Sequence, residues 1–405
     1  MPVDTGFIVY NLPNYPNLVR LFEAANVPTE ESDMSFAVSI GAGKMEYFGD
    51  CRGMFAQRRN LFRPSHWRMI RDIMHFYRKA PGFMDHVLRD SKTLGQVLEE
   101  QRYSRAFRYR HLLPMAGAIW SMPVERVKDF PAEALISFFE NHRLFDMDLL
   151  GRPIWRTVSG GSREYVKKIT AGFADRIETS APVKSVTRVP DGVKLSIGGS
   201  RHYEAVFDHV VLACHTDQAL AILGETANAG ERDVLGAIPY EDNVAVLHSD
   251  LAHMPRRRRA WASWNYMATR EAHSDESLSP VALTYWMNRL QNLQTKDPVL
   301  VTLNPLSAPD PSKTYQTLHY AHPQFCRSAF TAQRQLRHVQ GIDRVWYCGA
   351  WCGNGFHEDG ASAGFAVAKA LGAPTEWASS IDEMSPACMN ATPAAPADAE
   401  AIAAE

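Results

Sequence analysis

The chain has 405 residues, room for two or three domains at about 150 residues each and enough to bury a large core. Its 43 Lys and Arg nearly balance 45 Asp and Glu, so a net charge of −2 excludes a chain-wide electrostatic hold on nucleic acid. At 45% apolar and 22% charged residues the composition is ordinarily globular, and no uninterrupted apolar run of about 18 residues is present to span a membrane. The six cysteines (51, 214, 326, 348, 352, 388) are sparse and irregularly spaced, and Met1 opens onto Pro-Val-Asp rather than a basic, apolar leader. Both features point to reduced thiols and a cytoplasmic address.

In chain order, the first distinctive stretch is basic: Arg52 to Lys79 holds eight Lys and Arg against one acid, Asp72. Within it Trp67, Ile70, Met74 and Tyr77 recur at helical spacing, with Arg68, Arg71, His75 and Arg78 as a second stripe. The spacing predicts a basic amphipathic helix over 66–79, whose charged face is either a solvated cover of the core or a dock for anionic lipid or an acidic partner. The run Leu112 to Val124 is nearly all apolar, is interrupted by Pro114 and Pro123, and should line a core or an apolar pocket. A helix is expected over Arg163 to Phe173. The period then changes to alternation, so PVKSVTRV, VKLSI and HVVLACH (182–215) read as consecutive strands, DHVVLA being the most apolar. Residues 240–325 mix short strands with Trp261, Trp264, Tyr266, Tyr285 and Trp286, predicting a sheet-containing domain; Trp261, Trp264, Tyr266 and Trp286, with the Leu112 run, are the pocket candidates. VWYCGAW (345–351) reads as a strand and loop, followed by a helix from about Gly360 to Leu371. The Ala-, Pro- and acid-rich residues 376–405 read as a disordered tail.

Gly360-Ala361-Ser362-Ala363-Gly364 fits the G-x-S-x-G pattern of a hydrolase elbow, but Phe-His-Glu-Asp precedes it and no histidine follows His357. The same small residues suit a helix start at which a ligand meets backbone N–H groups and the positive end of the helix dipole. No metal site is expected: His319 and His322 lack a companion carboxylate, and His357-Glu358 lacks a second histidine four residues on. The nearest approaches to G-x-G-x-x-G, at Gly41-Ala-Gly43 and Gly353-Asn-Gly355, end in Glu46 and Glu358.

The segments PVDTGFIVYN, WRTVSGGSREYV, SWNYM, YWMN and above all VWYCGAWCGNGFHEDGASAGFAVAKALG resemble the amine-oxidase-like FAD-dependent oxidoreductases, in particular their bacterial branch of predicted NAD/FAD-binding proteins. The resemblance covers most of residues 2–373. It implies an α/β (α+β) fold: a Rossmann-like FAD-binding domain of the amine oxidase type with an inserted substrate domain of helices and a mixed sheet. The expected FAD-binding segments are 1–10, 156–220 and 336–375; the expected substrate domain is 11–155 and 221–335.

Carried over residue by residue, Gly349 matches the end of the last strand of the FAD domain, with Ala350 and Trp351 following it. Asp359, Gly360 and Ala361 match the helix start that faces the flavin pyrimidine. Val183 matches the strand residue whose backbone contacts adenine, and Asp4, Thr5 and Gly6 match the stretch that passes the isoalloxazine. His357, with Glu358 behind it, is the candidate catalytic pair, either moving a proton or bracing the loop. Two departures stand out. Much of the superfamily has Gly-Thr-Glu or Gly-Glu where this chain has Gly349-Ala350-Trp351. The family also places strand, G-x-G-x-x-G and helix before Asp-x-Gly, so this chain is expected to begin late, N-terminally truncated, leaving DHVVLA and VWYCG without central neighbours.

These features lead to an FAD-dependent oxidoreductase that removes a hydride from a small-molecule substrate, apolar (lipid or isoprenoid-like) or an amine. The alternatives are a non-catalytic form unable to hold FAD, and a lipid-surface or partner-binding protein on the same fold. No nucleic-acid partner is expected. The basic helix leaves peripheral contact with the inner face of a membrane as an expectation.

Overall fold

Short alternating runs make many of the strands, and several are closed by Gly, Pro or Asn where the backbone must turn, as at Gly41, Gly49, Pro190 and Asn304. The computed structural model describes residues 1–50, 53–83, 91–145, 153–200, 202–269 and 282–373. The tail expected over 376–405 lies outside them. In chain order the strands are β1 (Tyr10–Asn11), β2 (Thr29–Glu31), β3 (Phe36–Ile40), β4 (Met45–Phe48), β5 (Trp155–Val158), β6 (Val183–Val189), β7 (Gly192–Ile197) and β8 (Tyr203–Phe207). They continue as β9 (Val210–Leu212), β10 (Tyr240–His248), β11 (Trp264–Ala268), β12 (Ala282–Trp286), β13 (Leu300–Leu303), β14 (Thr314–Pro323) and β15 (Val345–Tyr347). The helices used below are α1 (Pro16–Ala24), α2 (Pro64–Lys79), α3 (Leu113–Trp120), α4 (Arg163–Thr170) and α5 (His357–Ala370).

The chain divides into two compact units. The first gathers Met1–Tyr15, Ala25–Gly172 and Tyr240–Arg327; the second gathers Pro16–Ala24, Phe173–Pro239 and the chain from Ser328 on.

The first unit is organised on a seven-stranded mixed sheet in the order β14-β10-β13-β12-β11-β3-β4. Only the β11–β3 pairing is parallel. Register puts Trp264 opposite both Phe36 and Tyr285, so these three share one face with Val38 and Tyr266, while Asn265, Thr284 and Thr302 share the other. The apolar run that begins at Leu112 becomes α3, which packs against β11 and is buried at Leu113, Pro114, Ala116 and Trp120. It is mainly core. A three-stranded sheet, β1-β5-β2, completes this unit.

Helix α2 forms as expected but turns a different face inward. Its buried residues are His66, Met69, Asp72, Ile73 and Phe76, whereas Trp67 and Met74 are exposed. Two stripes of apolar residues compete on this helix. The inward one wins because its polar members find partners: Asp72 accepts the Ser104 N–H at 2.9 Å, and His66 Nε2 lies 2.9 Å from the Met54 carbonyl.

In the second unit β6, β7 and β8 form an antiparallel sheet, β8 being a strand that alternation in the sequence did not reveal. β9 pairs in parallel with β15. The outer edge of β15 is closed by side chain and turn: Gln340 both accepts from the Tyr347 N–H (2.9 Å) and donates to the Tyr347 carbonyl (2.7 Å), and the Gly341 N–H donates to the Val345 carbonyl. Among the described residues β9 has β15 as its one strand neighbour, and Val211 is 39% exposed. The strand at DHVVLA, the most apolar of the three, is therefore buried on one face, at Val210 and Leu212.

Candidate active site

Helix α5 begins at His357, three residues earlier than its small-residue pattern implies. The cause is Asp359, whose Oδ2 accepts the Phe356 N–H at 2.8 Å and caps the first turn from within. Gly353 makes room for it: a Cβ there would fall 2.1 Å from Asp359 Oδ1. His357, Glu358 and Asp359 therefore stand in the first turn rather than in a loop before it. Ser362, the serine of the hydrolase-like pattern, lies inside this helix and accepts from Asn17 Nδ2 at 3.0 Å. A serine presented on a strand-to-helix elbow is thereby excluded.

Glu358 is buried, and both carboxylate oxygens are engaged by α1: Oε1 accepts the Asn17 N–H and Oε2 the Leu18 N–H, each at 2.9 Å. These N–H groups belong to the first turn of α1, so Glu358 supplies the anion that the helix start needs. Burial still raises its pKa, against the hydrogen bonds that lower it. Burial likewise pushes Asp359 up to about 6 and His357 down to about 4. At neutral pH the His357 imidazole is thus neutral, and protonating it costs about 4 kcal/mol at 1.36 kcal/mol per pH unit. This argues against His357 as a proton acceptor and against Glu358 as a free carboxylate; the geometry of both suits bracing the α5 start.

The other candidates in this unit lie around the end of β15. Trp351 is buried, donates from Nε1 to the Cys214 carbonyl at 3.1 Å, and covers Gly349, where a Cβ would fall 2.7 Å from that nitrogen. Ala350 opens the turn Ala350–Cys352. A Cβ on Gly360 would lie 3.6 Å from Ala350 N, so its absence leaves the backbone there approachable. With Ala361 next to it, the α5 start offers small residues at a helix N-terminus, and its two first-turn acids are engaged, Glu358 on the N–H groups of α1 and Asp359 on the Phe356 N–H. The arrangement fits the electron-accepting pyrimidine end of a flavin. Val183 opens β6, next to a bulge between Val183 and Ser185.

Asp4, Thr5 and Gly6 belong to the first unit. Asp4 is tied down: its carboxylate accepts from the Ser162 N–H (2.9 and 3.0 Å), Ser162 Oγ (3.0 Å) and Gln291 Nε2 (2.8 Å). In return its own N–H donates to Gln291 Oε1 at 2.8 Å. It serves as the anchor for the Gly160-Gly161-Ser162 turn that feeds α4. Burial, opposed by these bonds, raises its pKa. Thr5 Oγ1 lies 2.6 Å from the Tyr320 hydroxyl, and Gly6 faces open space. Any ligand passing this stretch would meet the backbone of Thr5 and Gly6 rather than the Asp4 carboxylate.

The aromatic pocket candidates are split by the sheet. Trp264 and Tyr285 stand edge to face at 5.0 Å on one side. Trp286 lies on the opposite side, edge to face with Trp261 at 5.4 Å, and the guanidiniums of Arg289 and Arg258 lie over their rings. The indole N–H groups of Trp264 and Trp286 are buried without an acceptor among the described residues, whereas Trp261 donates to the Pro255 carbonyl. Burial raises the Tyr266 and Tyr285 hydroxyl pKa values, so both phenols stay protonated. Sequence reasoning passed over Ser162 and Gln291, whose partnership with Asp4 spans 287 residues between Asp4 and Gln291 and leaves no local signal.

The family model for flavin containing amine oxidoreductases matches residues 2–371. No curated protein matches the chain closely enough to count as a relative. Among solved structures, putrescine oxidase bound to putrescine has a TM-score of 0.61 at 13% identity, covering 91% of this chain and 88% of that one. Cyclohexylamine oxidase from Brevibacterium oxydans IH-35A scores 0.59 at 14% identity, covering 92% and 88%. A CLA-producing fatty acid isomerase from P. acnes scores 0.55 at 11% identity, covering 90% and 86%. At these identities the likeness is one of fold, and it agrees with the α/β architecture and mixed sheet. The family match spans nearly the whole described chain, and the protein therefore belongs to the flavin containing amine oxidoreductases, FAD-dependent oxidoreductases.

Proposed function

We propose that the chain oxidises an apolar small molecule carrying a hydrogen-bond acceptor, lipid-like rather than a simple amine. FAD, which the family brings, accepts a hydride when bound. The observation that carries the substrate class is the Trp264–Tyr285 pair with its buried, acceptor-less indole N–H. An apolar body stacks on those rings, and an oxygen on it would accept from Trp264 Nε1 and relieve a buried donor that costs about 1–3 kcal/mol unpaired. An ammonium group offers no acceptor. None of Phe36, Val38, Tyr266 and Tyr285, which share that face with Trp264, offers a carboxylate to pair with one. His357 remains a neutral group at the α5 start, with Glu358 and Asp359 holding that start in place, while Gly360 and Ala361 leave the helix N-terminus open to the ring.

The test is anaerobic mixing of FAD-loaded protein with fatty acids and isoprenoid ketones on one side and putrescine and cyclohexylamine on the other. Bleaching of the flavin band by the apolar set supports the reading; bleaching by the amines alone removes it. A second reading, a chain that carries the fold without holding FAD, is favoured by Trp351, whose indole stands on Gly349 just beyond the carboxyl end of β15. In open α/β sheets that is where ligands bind. Absorbance of the purified protein separates the two, since this second reading leaves it colourless after incubation with FAD.

A further inference from the structure

Three exposed apolar side chains of the first unit, Leu61, Phe62 and Trp67, gather at one place that the candidate site does not use. Phe62 is 86% exposed, its neighbour Leu61 45% and Trp67 49%; the Trp67 indole donates to the Leu61 carbonyl at 2.9 Å, which holds the three together. Leu61 and Phe62 close the tight turn Arg58–Phe62, which leads into α2.

Around this tip the surface is cationic, and hydrogen bonds show the cations to be neighbours. Arg59 and Arg63 both donate to the Lys44 carbonyl, and Arg257 donates to the adjacent Gly43 carbonyl at 3.1 Å. The Arg256–Arg259 run, 200 residues away in sequence, therefore joins the 58–63 turn. Burial and then the nearby charges of Arg59, Arg110 and Arg257 lower the Arg63 pKa, as expected where cations crowd. The carboxylates close by are engaged: Glu46 is fully buried on Arg257 and the Arg256 N–H, Asp72 is buried on the Ser104 N–H and pairs with Arg68 and Arg71, and the half-buried Asp50 accepts the Gly53 N–H.

An exposed apolar tip beside a cluster of arginines matches neither a core, which would bury Phe62, nor a peptide site, which needs a groove. It matches an interface that is apolar below and anionic above. We propose that this face docks on an anionic phospholipid surface, Leu61, Phe62 and Trp67 entering the boundary between headgroups and acyl chains while the surrounding arginines engage lipid phosphates. The proposal does not depend on the substrate and holds whether or not the oxidation above is correct.

Co-sedimentation of the full chain with vesicles tests it. Vesicles of equal parts phosphatidylcholine and phosphatidylglycerol should bind at least about tenfold more tightly than phosphatidylcholine alone, and the difference should shrink as salt rises. Leu61→Ser with Phe62→Ser should weaken binding by about tenfold or more, and Arg58→Gln with Arg59→Gln by a similar factor. Melting temperatures identify any variant that unfolds. In that case quenching of tryptophan fluorescence by a bilayer-borne quencher, lost in Trp67→Phe, gives an independent reading. Equal binding to both vesicle types, or wild-type binding by the Leu61→Ser/Phe62→Ser protein, overturns the proposal. So does single-stranded RNA or an acidic peptide that binds as tightly as the vesicles and is indifferent to Phe62, because the face would then be a general polyanion site.

Discussion

The start of α5 and the aromatic face of the large sheet are built on opposite principles. At α5 the carboxylates of Glu358 and Asp359 are taken up by backbone N–H groups, two of them on α1. On the sheet, Trp264 buries an N–H that no described residue receives. A site of the first kind is finished without a ligand and serves to hold backbone in place; a site of the second kind keeps a donor open to a ligand or a water. Under the proposed function, the contrast goes with positioning by the histidine-glutamate pair and substrate contact by the aromatic pair.

The largest effect should come from Glu358→Ala, which strips the anion from two first-turn N–H groups of α1 in a buried place. A loss of about 3 kcal/mol, read as a melting temperature lower by several degrees, is expected. Glu358→Gln, which can still accept from one N–H, should lose less. Gly353→Ala follows at about 2 kcal/mol, since its Cβ would fall on the Asp359 carboxylate and force the capping interaction apart.

How far this was legible in the sequence depends on whether a residue's partner was near it in the chain. The strand at Val345–Tyr347, the helix after it and the resemblance carried by the HEDG segment could all be read locally. The true start of α5 could not, because Phe356 is not an ordinary cap residue and the capping acid, Asp359, sits inside the helix. On α2 the apolar spacing admitted two faces, and the choice rested on His66 and Asp72 finding partners at Met54 and Ser104. The basic surface was legible only in part: the 58–79 cations stand in one run, but their junction with Arg256–Arg259 exists only in three dimensions. The aromatic residues of 261–286 read as one pocket, and strand alternation divided them between two faces.

A pH experiment sharpens the contrast further. Burial raises Asp359 from 3.8 to about 6, so between those values the folded chain binds more protons than the unfolded one, and this group's contribution falls as pH rises through that window. His357 acts oppositely: lowered from 6.5 to about 4, it contributes stability that is lost as pH falls from 6.5 toward 4. Stability measured against pH should therefore fall less between pH 4 and 6 on going up in Asp359→Asn than in the parent, and should fall less on going down in His357→Gln. Curves parallel to the parent's in both variants would mean that neither group titrates differently on folding.

The smallest stability effect belongs to Trp264→Phe, which removes an unpaired N–H while keeping an aromatic ring. The melting temperature should stay the same or rise slightly, within about 1 kcal/mol, while KM for an acceptor-bearing apolar substrate rises severalfold.

The division of labour between the two regions is tested most directly by the rate of flavin reduction per bound flavin, measured in a single anaerobic turnover for Glu358→Gln and Trp264→Phe side by side. The account predicts that Glu358→Gln lowers flavin content or stability but leaves the rate per bound flavin at the parent value, while Trp264→Phe keeps its flavin and loses rate at subsaturating substrate. A Glu358→Gln protein that keeps its flavin and melting temperature yet loses the rate, beside a Trp264→Phe protein that loses nothing, would contradict it.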